Sequence, residues 1–152
     1  MFRTSASKQE PGLTIRRLAE FQRALTEALA AAPVEDGVSH RGEGIIQEAL
    51  RSVPTEAILA WLRSLVLDPG HPGLGAEVLR LVSRNAEIGP AAWWRHLLQG
   101  ALASGDVELR DAAIQAAETW SERGLADPLK SHREPVPWLR EYMEAVVSDL
   151  EG

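Results

Sequence analysis

Apolar residues recur along this chain every three or four positions, and no stretch keeps the period of two that a half-buried strand requires. In "LTIRRLAEFQRALTEALAAA" (13–32), Leu18, Phe21, Leu25, Ala28, Leu29 and Ala32 form one stripe. Arg16, Glu20, Arg23 and Glu27 form the opposite one, which reads as a solvated face stabilised by intrahelical charge pairs. A polar loop follows, then a second helix of about 43–53 carrying Ile46, Leu50 and Val53. Pro54 ends it and opens the next helix, "TEAILAWLRSLVL" (55–67), which is apolar around most of its circumference and belongs in the interior.

"DPGHPGLG" (68–75) is the strongest break in the chain. Beyond it the periodicity predicts helices over "AEVLRLVSRNA", ending near Asn85, over "PAAWWRHLLQGALAS" from Pro90, and over "VELRDAAIQAAETW" (107–120) with Asp106 as N-cap. A short helix at about 124–132 and an amphipathic one at 137–150, opened by Pro137, complete the set. Residues 1–12, ending at a Pro11-Gly12 turn, read as a flexible tail, and 13–152 as a single domain.

The predicted helices also show a common register. Leu-Arg occurs at Leu50-Arg51, Leu79-Arg80, Leu109-Arg110 and Leu139-Arg140, at intervals of 29, 30 and 30 residues. Three positions after each leucine stands Val53, Val82, Ala112 or Tyr142, and seven after stands Ala57, Ala86, Ala116 or Val146. Apart from the break at Pro54, both offsets keep to the leucine's side of a helix.

The clearest copy is "GDVELRDAAIQAAETWSERGLADPLKSH" (105–132), with the acid Asp106, the pair Leu109-Arg110, a face of Ala112, Ala113 and Ala116, a short turn and a second helix. This stretch resembles a HEAT-like repeat. Elsewhere Gln47, Ala76 and Val136 stand where Asp106 does, so the other copies lack the acid. The resemblance implies a short right-handed α-solenoid, a HEAT-like stack of about eight short helices. It also implies a surface that binds another macromolecule, with the helix at 137–150 as a cap.

Composition narrows the function. The 152 residues are 45% hydrophobic and 25% charged, a soluble globular balance. No run is long enough to span a membrane, and residues 1–12 lack the apolar region of an export signal, so a cytoplasmic location is expected. With no cysteine, disulfides, thiolate nucleophiles and cysteine-bound metals fall away. A net charge of -6 argues against a broad grip on nucleic acid. Arginine supplies all but Lys8 and Lys130 of the cations, which with the high alanine content reads as genome composition.

No catalytic motif emerges. "GHPGLG" (70–75) lacks the Lys-Ser/Thr ending of a nucleotide loop. The histidines His40, His71, His96 and His132 lie in separate segments without ligand spacing. "SHREP" (131–135) reads as a helix C-terminus whose His132 and Arg133 complement the dipole. A non-enzymatic protein with no cofactor and no metal is therefore expected.

Five of the eight aromatic residues are tryptophan. Trp94, aligned with Leu97, Leu98 and Ala101, and Trp120, aligned with Leu109, Ala113 and Ala116, are expected in the core. Trp93 falls at the edge of its apolar arc, above Gly100 and beside His96. Trp138 lies at an edge beside Tyr142 and Ala145, and Trp61 flanks Ile58, Leu62 and Leu65. Such edges ordinarily fill seams between repeats, but tryptophan is also the residue most enriched at interaction hot spots. Trp93, Arg95, His96, Trp138 and Tyr142 are thus the candidate partner-binding residues.

The leading expectation is a protein-protein interaction module that binds another protein or a second copy of itself. In a bacterium it would serve as an adaptor, an inhibitor or immunity-type factor, or an assembly subunit. The alternative implied by the same scaffold is a HEAT-like DNA-binding or DNA glycosylase-type protein, with Trp93, Arg95, Asp111 and Trp120 lining a concave surface. A bilin lyase is a more distant one.

Overall fold

The structure, a computed structural model, describes residues 11–152. They form eight α-helices: α1 (Pro11–Ala31), α2 (Arg41–Leu50), α3 (Thr55–Val66), α4 (Pro72–Val82), α5 (Ala91–Leu102), α6 (Val107–Trp120), α7 (Ala126–Ser131) and α8 (Pro137–Glu151). Two 3-10 turns, Ala86–Ile88 and Arg123–Leu125, complete the secondary structure, and no strand occurs among the described residues. The all-α expectation holds. Backbone contacts gather the chain into two compact units, 1–61 and 62–152. The expected tail lies outside the described residues up to position 10.

In the first unit the turn expected at Pro11-Gly12 is instead the opening of α1. A proline is tolerated there because the first amides of a helix have no intrahelical acceptor to lose. Phe21, Leu25, Ala28 and Leu29 are buried as the stripe requires, while Ala32 lies beyond the helix and is exposed. α2 packs on α1. It begins two residues earlier than its periodicity indicates, because His40 is an unforeseen N-cap. The His40 Nδ1 accepts from the Gly42 amide at 2.9 Å, and Glu43 Oε2 accepts from the His40 amide at 2.9 Å. That reciprocal box leaves Nε2 to donate to the Ala32 carbonyl at 2.9 Å, tying the end of α1 to the start of α2. Phe21 meets Trp61 edge-on, with centroids 5.3 Å apart.

In the second unit α4 starts at Pro72, inside the stretch read as a break. Gly75 is helical because α4 comes very close to the end of α3: a Cβ there would lie 2.8 Å from the Val66 carbonyl oxygen. The glycine reports close backbone approach rather than a turn. α6 begins as expected, with Asp106 Oδ2 accepting from the Leu109 amide at 2.9 Å. It ends at Ser121, whose φ of 56° is left-handed, a conformation normally left to glycine. The Ser121 hydroxyl donates to the Glu118 carbonyl at 2.8 Å, closing the helix end.

α4 packs on α6 and α6 on α8, while α5 packs on α6 and α7, and α7 on α8. The Leu-Arg register falls inside the first set: Leu79, Leu109 and Leu139 are all buried, on α4, α6 and α8. Leu50 differs, standing half-buried at the last position of α2.

Candidate functional site

The paired tryptophans of α5 both enter the core. Trp94 is fully buried, as expected, and Trp93 is only 8% exposed, which overturns its expected place at an accessible margin. α5 is covered by α6, by α7 and by the 123–125 turn, so its buried arc runs through Trp93, Leu97, Ala101, Trp94, Leu98 and Leu102, half the circumference. The indoles of Trp93 and Trp94 meet edge-on at 5.2 Å, and Trp94 lies against half-buried Trp120 at 4.8 Å. Nor does Trp93 gain room from Gly100, whose missing side chain leaves the space that Leu67 fills.

Trp138 has the opposite fate and is 58% exposed near the start of α8. Tyr142, one turn on along the same flank, is half-buried, and its hydroxyl donates to Glu118 on α6. Arg95 lies against the turn after α6: a Cβ on Gly124 would be 3.3 Å from its Nη2. That turn also packs on α8. The structure therefore brings Tyr142 to the end of α6 and Arg95 to the turn beyond it, with Trp138 exposed one turn before Tyr142 on α8. It withdraws Trp93 into the core and leaves His96 exposed on α5.

Asp111, half-buried on α6, has its pKa raised by burial, which Arg80 opposes and Glu108 reinforces. Arg80 lies 3.1 Å from Glu77 on its own helix, α4, and 3.8 Å from Glu108 across on α6.

A buried ion pair escaped the sequence reading. Arg110 on α6 grips Glu134, in the segment before α8, with both prongs: Nε to Oε1 at 2.9 Å and Nη2 to Oε2 at 3.0 Å. Its Nη1 donates to the Ser104 carbonyl at 3.1 Å. Glu134 also accepts from His132 Nε2 at 2.9 Å and from the Val136 amide at 3.0 Å. His132 therefore orients its ring toward this carboxylate, a different role from the dipole partner expected. Burial alone would raise the Glu134 pKa, but the bonds from Arg110, His132 and Val136 outweigh it and hold the group at about 2. Arg110 and Glu134 are 24 residues apart, and neither periodicity nor local spacing pairs them.

No three His, Cys, Asp or Glu side chains among the described residues are grouped as metal ligands. No described helix is long and apolar enough to cross a membrane. Comparison with protein-family models, with curated proteins and with solved structures finds no match to this chain.

Proposed function

We propose that the protein is a non-enzymatic interaction module that recognises another protein, or a second copy of itself, through the Trp138 flank of α8. The observation that carries this reading is the 58% exposure of Trp138. Leaving more than half of an indole in water forgoes hydrophobic stabilisation of roughly 25 cal/mol for each Å² of apolar surface left uncovered. A tryptophan fixed on a helix beside a tethered tyrosine is a rigid amphipathic anchor of the kind that dominates interfaces. Ile15 and Val38 are exposed too, but single exposed aliphatics are ordinary surface.

The finer architecture belongs to the same proposal. Within 62–152 the helices are read as HEAT-like repeats of a short right-handed α-solenoid. Two observations support this: the Leu-Arg register falls on α4, α6 and α8, and these helices pack on one another in that order. In such stacks one layer of helices forms the binding surface.

The test is site-specific photo-crosslinking in cells, with a benzophenone amino acid at position 138 and, as control, at the exposed Gln99 of α5. A discrete protein adduct from position 138 and none from position 99 is expected. No adduct from 138, or the same adducts from both positions, contradicts the reading.

A further inference from the structure

A second surface lies on the other flank of α8. Between α7 and α8 runs an open groove of about 560 Å³, lined by Met143 and Val147 along its apolar side and by Lys130, Arg133, Arg140 and Glu144 among its charged residues. We propose that this groove binds an acidic, apolar-anchored peptide segment of a partner protein, with Arg133 and Arg140 as its carboxylate clamp.

An extended segment joins the two helices. His132 and Val136 both have extended backbone, with ψ of 136° and 119°. Side chains in extended chain alternate. Since His132 and Glu134 turn inward to the Arg110 network, Arg133 is turned outward, where it is exposed. Arg140 is held from below: its Nη1 donates to the main-chain oxygen of Glu134 at 3.2 Å. The same buried network thus positions both arginines.

Charge selects the occupant. Glu134 lines the groove but its carboxylate is already bound by Arg110, His132 and the Val136 amide. Lys130 is shared with Glu151 at 2.6 Å. What remains facing a ligand is Arg133 and Arg140 against Glu144, a local excess of positive charge on a chain of net charge -6. Planar guanidinium groups match carboxylates two-pronged, and the half-buried Val147, with the edge of the largely buried Met143, offers an apolar contact in the same groove for one side chain.

The test is fluorescence anisotropy with a fluorescein-labelled peptide of alternating Glu and Leu, and with its Gln-for-Glu counterpart. The full chain is compared with Arg133→Gln, with Arg133→Gln/Arg140→Gln, with Trp138→Ala, and with Arg16→Gln/Arg23→Gln as a net-charge control on the exposed face of α1. Saturable binding of the acidic peptide is expected, weakened about tenfold by Arg133→Gln and further by the double variant. The α1 control and Trp138→Ala should bind like the parent, so this groove stands or falls apart from the Trp138 surface. Arg133→Gln removes an exposed side chain and carries the test even if the double variant melts early. Absence of binding, equal affinity for the Gln peptide, or an equal loss in the α1 control overturns the proposal.

Discussion

Arg110 and Glu134 form a two-pronged ion pair that joins the first turn of α6 to the segment entering α8, with the glutamate side chain fully withdrawn from solvent. A buried pair broken on one side leaves an uncompensated charge, so Arg110→Ala should destabilise by about 3–5 kcal/mol. The double variant Arg110→Met/Glu134→Leu, which buries no charge, should recover much of that loss. Urea unfolding of the three proteins checks both outcomes. A double variant no more stable than Arg110→Ala would contradict this account of the pair.

Acid should weaken the fold through the same carboxylate. Glu134 titrates at about 2 in the folded protein, against an ordinary value of 4.5. A depressed folded pKa contributes stability that is fully present above the unfolded value and is lost as pH falls from about 5 toward 2. The contribution is on the order of 3 kcal/mol. The parent should therefore lose more stability than Glu134→Gln between pH 6 and 3, measured as urea midpoints. Parallel pH profiles would remove Glu134 from the acid response.

Trp93 and Trp94 share one aromatic cluster, so alanine at either site should cost several kcal/mol, about 3–5 for the fully buried Trp94. Trp93→Ala should come close to that figure, because its ring is also enclosed. Thermal melts of the two variants decide the point. A Trp93→Ala protein as stable as the parent would contradict the observed burial.

Removing residues 137–152 should leave a protein without a cooperative melt. Leu139, Met143 and Val146 would be lost from the core, each contributing roughly 1.5–3 kcal/mol, against a total stability of about 5–15 kcal/mol for a domain. The truncation would also expose the surfaces of α6 and α7 that pack on α8. A truncated protein melting within a few degrees of the parent would show that α8 is dispensable.

The helices were legible in the sequence because each carries its own apolar stripe: Phe21, Leu25 and Leu29 on α1, or Leu139, Met143 and Val146 on α8, are buried as their spacing requires. Boundaries were less so. His40 is an uncommon capping residue, and the glycines before α4 read as a break when one of them marks close packing. At the candidate site the spacing puts both Trp93 and Trp138 at the edges of their apolar arcs, yet Trp93 is buried and Trp138 exposed. Both stand near the start of a helix, and packing against segments distant in the chain, which the spacing does not encode, covers the one and leaves the other in water. Glu134 was invisible for the same reason, since its partner is chosen by packing across 24 residues.

If Trp138 anchors a partner, its removal must show in the affinity of Trp138→Ala for the protein crosslinked at position 138. Isothermal titration should show binding weakened by a factor of about 30 or more, the loss of a hot-spot tryptophan, with the melting temperature unchanged. A folded Trp138→Ala protein that binds this partner as tightly as the parent would contradict the claim.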